Sequence, residues 1–150
     1  MQTNVFPVEA KDFSRIVEVW ESSVRATHTF VSEADIQFFK PLIQSALPRI
    51  PQLACVRDGR DQVAGFIAVV EKKVEMLFIH PAARGKGNGK ALLAYAIKVF
   101  GATMLDVNEQ NEQAVGFYLH LGCEIVGRSE LDGTGKPYPL LHLSLSGVHI

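Results

Sequence analysis

The chain has 150 residues, 47% hydrophobic and 21% charged, enough for one domain to bury a core without cross-links, and it contains no apolar run that could span a bilayer. A net charge of −1 gives no basic field to hold nucleic acid through its phosphates, which argues against a nucleic-acid-binding protein. The opening residues MQTNVFPVEAKDF lack the basic segment and apolar stretch of a secretory signal, so a cytoplasmic protein with no membrane partner is expected.

Taken in chain order, residues 2–8 read as a short strand. From Ala10 the apolar residues Phe13, Ile16, Val17, Trp20 and Val24 recur at helical spacing and predict an amphipathic helix. Ser32 followed by Asp35 can cap a second helix through about Gln44, which Pro48 and Pro51 then end. Residues 53–56 and 63–70 flank the polar turn Asp58-Gly59-Arg60-Asp61 and predict an antiparallel hairpin. A further strand, 74–79, runs into His80-Pro81, where proline has no N–H to continue a ladder. Ala91 to about Phe100 is too long and too rich in helix formers for a strand. A strand over 103–107, a helix over 111–121 stopped by Gly122, and strands near 123–131 and 139–146 complete a mixed α/β pattern. No repeat or low-complexity tract interrupts it, so residues 1–150 read as one domain.

Cys55 and Cys123 each fall in an apolar stretch that reads as strand, with no second Cys or His at ligand spacing. Buried, reduced thiols and no metal site are expected.

The chemistry is carried by Leu77-Phe-Ile-His-Pro-Ala-Ala-Arg-Gly-Lys-Gly-Asn-Gly89, a strand that ends in a glycine-rich turn opening into a helix. Glycines let the backbone approach a ligand, and the free N–H groups of a helix start attract an anion. Lys86 and Lys90 add positive charge. A corner with no ligand is the other reading of such a turn. A P-loop would need Ser or Thr after Gly89-Lys90, where Ala91 stands. The dinucleotide fingerprint needs its glycines two and three apart, whereas here they alternate.

Arg84-Gly-Lys-Gly-Asn-Gly89 after Ile79-His-Pro81 resembles the pyrophosphate-binding signature of the GNAT family of N-acetyltransferases. Asn108 through Tyr118, then Leu121-Gly-Cys-Glu124, is similar to that family's Asn-x-x-Ala-x-x-Phe-Tyr-x-x-x-Gly-Phe element, with Cys123 in place of the last Phe. The two segments lie in the family's order, and the element order β-α-α-β-β-β-α-β-α-β-β covers essentially the whole chain. The resemblance implies a central, mostly antiparallel mixed sheet flanked by helices.

It also implies a mechanism, in which acetyl-coenzyme A gives its acetyl group to a primary amine by direct attack. Leu77, Phe78 and Ile79 would pair with the pantetheine arm on a splayed strand, and Arg84, Gly85, Lys86, Gly87, Asn88, Gly89 and Lys90 would hold the pyrophosphate. Asn111 matches the position that contacts the pantetheine amide, although Asn at a helix start is also a common cap. Tyr118 matches the general acid that protonates the leaving thiolate.

A general base is not identified: Glu75, flanked by apolar residues that could desolvate it, Asp106 on the following strand, and a water relay all stand open, with His80 a structural or solvent-facing residue. For the acceptor site the family's geometry points to the first two helices and the last hairpin. Those regions offer Trp20, His28, Phe30, Phe38 and Phe39 at one end and Tyr138 with His142 at the other, with Thr27-His28-Thr29-Phe30 foremost for lining a groove; for each, a core aromatic or a surface histidine is the more ordinary reading. Three alternatives remain: a non-catalytic acetyl-coenzyme A sensor on the same fold, an enzyme using a hydroxyl acceptor or longer acyl chain, and an assembly module. Monomer and homodimer are both compatible with the sequence.

Overall fold

The structure, a computed structural model, describes residues 3–150. Its elements are β1 (Phe6–Pro7), α1 (Phe13–Thr27), α2 (Glu33–Ala46), β2 (Gln52–Arg57), β3 (Val63–Val70), β4 (Lys73–Ile79), α3 (Asn88–Lys98), β5 (Met104–Asn108), α4 (Glu112–His120), β6 (Glu124–Ser129) and β7 (Leu140–Ser144). This is the expected order. The strands form one sheet in the sequence β1-β2-β3-β4-β5-β7-β6, antiparallel except where β4 meets β5. Of the strand expected over residues 2–8, only Phe6–Pro7 forms, and residue 2 lies outside the described residues.

Side-chain caps fix the 3-10 turn Ala10–Asp12 that leads into α1 and the start of α2. Ahead of α1, the Glu9 N–H donates to Asp12 Oδ2 at 2.9 Å, and Arg57 on β2 donates to both Asp12 oxygens at 3.1 and 3.0 Å. That pair ties the start of α1 to the sheet, and the guanidinium holds the Asp12 carboxyl below the usual carboxylate range. Ser32 Oγ accepts the Asp35 N–H at 3.1 Å and starts α2. The helix continues through Pro41, losing one backbone bond, and closes in a 3-10 turn, Leu47–Arg49, that contains Pro48.

The sheet is packed on both faces. α1, α2 and the 3-10 turn after α2 cover one face through Ile16, Val19, Trp20, Ile36 and Leu47 against Cys55 and Phe66. α3 and α4 cover the other through Leu92, Leu93 and Tyr118 against Ile67, Leu105 and Leu143. Strand β3 lies between the two layers and is buried along nearly all its length, which is why its sequence is continuously apolar instead of alternating. Both cysteines are buried and unpaired; Cys123 stands just before β6 instead of within a strand.

Two irregularities in β4 open the site. Its pairing with β3 passes from Ala68↔Met76 to Val69↔Val74, which leaves Glu75 as the extra residue of a β-bulge. On the other side, β4 pairs with β5 only at Lys73↔Met104 and Val74↔Leu105. Beyond that point the strands part, and Leu77, Phe78 and Ile79 keep only β3 as a strand partner.

Candidate active site

The parting of β4 from β5 opens a cavity of about 320 Å³. One end is the glycine turn. Gly85 and Gly87 have φ of +75° and +80°, a region open to glycine at little cost, and a Cβ at Gly87 would project into open space. Gly87 caps α3, whose first backbone bond runs from the Ala91 N–H to Gly87 O at 3.0 Å. The N–H groups of Asn88, Gly89 and Lys90 therefore have no helical acceptor. Asn88 Nδ2 fastens the turn to Ala83 O at 3.1 Å, and His80 Nδ1 accepts the Ala82 N–H at 3.1 Å. His80 is thus a cap of the preceding 3-10 turn.

Along the cavity wall lie Leu77, Phe78 and Ile79 from β4, with Asn111, Ala114, Phe117 and Tyr118 from α4 and its cap. Asn111 is the cap of α4. Its Oδ1 accepts the Ala114 N–H at 3.3 Å as the α4 cap, which turns Nδ2 away from the helix, and the residue lines the cavity. Tyr118 is buried, 6% exposed, and burial pushes its phenol above the usual range. Burial thus holds a phenol that is ordinarily protonated near neutral pH still further from ionisation. Gly122, with φ +105°, ends α4 where its backbone passes so close to Gly147 that a Cβ would be 2.5 Å from the Gly147 oxygen. That contact fixes the C-terminal end of the helix carrying Tyr118.

The far end of the cavity is formed by Ser23 and Thr27 of α1 and by its C-cap, His28. His28 is 9% exposed, and burial lowers its pKa to about 4. Its ring packs between Phe30, at 5.3 Å between centroids, and Phe78, at 6.0 Å.

The sequence-derived residues separate into those at the cavity and those elsewhere. Arg84, Gly85, Gly87, Asn88, Gly89 and Lys90 line it, while Lys86 is exposed and outside the lining. Phe30, also expected at the acceptor site, is outside the lining; its ring centroid lies 5.3 Å from that of His28 and 6.0 Å from that of Tyr138. Trp20 is a correction: expected at the acceptor site, it is 4% exposed in the α1 core and does not line the cavity.

Glu75 also departs from expectation. The bulge leaves it exposed and paired with Lys73 at 3.2 Å, so the predicted desolvation is absent. Asp106 is outside the lining, with one oxygen 3.0 Å from Lys73 Nζ and the other 2.6 Å from His142 Nδ1. His142 in turn meets Ser129 Oγ at 2.7 Å, which forms a side-chain chain across β5, β7 and β6. The sequence reading missed Ser23, Gln113 and Phe117 as lining residues. Ser23 was detectable as a polar position one turn before Thr27 on an otherwise apolar helix face.

The family model for the acetyltransferase (GNAT) domain matches residues 51–124, from just before β2 to the first residue of β6. The chain belongs to the GNAT family of acetyltransferases, and it is an N-acetyltransferase. It is 39% identical to the peptidyl-lysine N-acetyltransferase YjaB of Salmonella typhimurium, over 95% of this chain and 98% of that protein. Its fold matches the solution structure of apo-form YjaB from Escherichia coli with a TM-score of 0.89 and 39% identity, covering 99% of this chain and all of the other. The PaiA N-acetyltransferase of Thermoplasma acidophilum, solved in complex with coenzyme A, shares the fold at a TM-score of 0.70 and 20% identity, over 96% of this chain and 99% of that one.

Among the described residues, no helix is long and apolar enough to cross a membrane, and no group of three or more His, Cys, Asp or Glu residues is placed to hold a metal.

Proposed function

We propose that residues 1–150 act as one domain that transfers the acetyl group of acetyl-coenzyme A to the side-chain amine of a lysine in a peptide or protein. The carrying observation is the cavity itself, which runs from the open backbone of the glycine turn, along the unpaired edge of β4, to the phenol of Tyr118. The lysine acceptor is supported by the name of the Salmonella relative.

The residues divide the work by position. The N–H groups of the glycine turn and the first turn of α3 hold the pyrophosphate, with Arg84 and Lys90 adding charge. The free edge of Leu77, Phe78 and Ile79 takes the pantetheine as an added strand would be taken, and Asn111 Nδ2 donates to its amide carbonyl. The amine attacks the thioester carbon, the C–S bond breaks with its electron pair on sulfur, and Tyr118 protonates the departing thiolate. Proton removal from the incoming ammonium falls to solvent, because the lining contains no carboxylate and Asp106 has both oxygens engaged.

Calorimetric titration with acetyl-coenzyme A, followed by thiol release with lysine peptides, tests this reading. Micromolar affinity that requires the pyrophosphate, with amine-dependent thiol release, is expected. Binding without turnover on any amine would leave an acetyl-coenzyme A sensor.

A further inference from the structure

Resting on that reading, we infer that His28 is the residue that receives the acceptor amine: its Nε2 accepts a hydrogen bond from the amine N–H and aims the nitrogen lone pair at the thioester.

The local hydrogen bonds determine which ring nitrogen is free. The Thr27 hydroxyl donates its one hydrogen to Ser23 O at 2.7 Å. While that hydrogen stays on Ser23 O, the same oxygen, 2.7 Å from His28 Nδ1, accepts there and Nδ1 carries the proton. A neutral ring with Nδ1 protonated has its lone pair on Nε2. The nearest donor to that lone pair is Asn111 Nδ2 at 3.5 Å, the outer limit of a hydrogen bond. Once Asn111 serves the cofactor amide, a buried acceptor remains without a donor, and such groups are rarely left unmatched.

Position and charge identify what supplies the donor. The glycine turn and the β4 edge account for the phosphate and pantetheine portions of the cavity, which leaves the Ser23, Thr27 and His28 end for the acceptor. The charged side chains in the lining, Arg84 and Lys90, belong to the glycine-turn segment at the opposite end. The hydrogen-bond and ring-packing partners of the imidazole are Thr27 on α1, Asn111 at α4, Phe78 on β4 and Phe30 in the loop after α1, none of them charged. Burial keeps the ring neutral above about pH 5, because its pKa is near 4. A neutral acceptor draws in an amine that an imidazolium would repel. His28 holds one N–H while the C–N bond forms and the C–S bond breaks; the proton that nitrogen loses leaves through water, and sulfur takes its proton from Tyr118.

The first test is His28→Phe, which keeps an aromatic ring beside Phe30 and Phe78 and removes the acceptor. Acetyl-coenzyme A affinity should stay within about twofold, while kcat/KM for a lysine peptide falls about a hundredfold, the scale of a misaligned attacking group. His28→Gln, which retains an acceptor, should recover part of that loss. Nitrogen NMR of wild-type protein with coenzyme A gives a second readout independent of variant folding: adding a lysine peptide should shift the unprotonated Nε2 resonance and leave Nδ1 protonated. An active wild type whose Nε2 signal ignores saturating peptide overturns the inference, as does a His28→Phe protein that is fully active or that loses cofactor affinity. Failure of the wild type to release coenzyme A with any amine overturns the acetyl-transfer reading and this inference together.

Discussion

The two ends of the cavity are built in opposite ways. At the glycine turn, neighbours in sequence do the work: residues 84–90 form the turn, provide the N–H groups and start α3. At the α1 end, His28 meets Asn111 across 83 positions of sequence, and Phe30 meets Tyr138. An end made of contiguous backbone is robust to most side-chain changes and sensitive to glycine replacement. An end assembled from distant side chains depends on each partner's placement.

Substitutions at Tyr118, Gly87, Asp12 and Glu75 probe that contrast with decreasing effect. Tyr118→Phe should lower kcat by about 10²–10⁴ with cofactor affinity changed only a few-fold, the loss expected of a general acid. Thiol-release kinetics and calorimetry together check it, and equal turnover would remove Tyr118 from the mechanism. At the other end, Gly87→Val should weaken acetyl-coenzyme A at least about a hundredfold, because a β-branched residue is strained at positive φ and its side chain enters the phosphate approach. Unchanged affinity in the titration would make the turn a structural corner.

Asp12 reports on the frame that holds α1, and hence His28, against the sheet. Asp12→Asn should cost about 2 kcal/mol in urea unfolding by leaving Arg57 without its carboxylate. Since the folded state lowers the Asp12 pKa, its stabilising contribution is fully present above the ordinary carboxylate range near pH 4 and is lost as pH falls through the lower folded-state value. The wild type should therefore lose more stability on acidification than Asp12→Asn does. The smallest effect belongs to Glu75→Gln: an exposed residue paired with Lys73 should change kcat less than about twofold. A large, pH-dependent loss there would restore Glu75 as a base candidate.

Particular residues show why some features were legible and others were not. The Ser32 cap, the 58–61 turn and the Gly122 stop are local signals, and each falls where the sequence placed it. Glu75 could not be placed in advance because a bulge changes which way the side chain points, and the bulge exists only through its pairing with β3. Trp20 lies on the apolar stripe of α1, and periodicity cannot say whether a stripe faces a core or a ligand. Asp106 carries the charge a base needs, yet Lys73 and His142, from two other strands, hold its oxygens.

By itself the sequence determined the order of the elements, the layered α/β class, the glycine turn and the helix bearing Tyr118, because caps, turns and periodicity act over a few residues. The tertiary structure alone decided which side chains meet His28, that Trp20 lies in the core and which carboxylates are already paired. Those depend on contacts between residues far apart in sequence, whose geometry is set only once both faces of the sheet are packed.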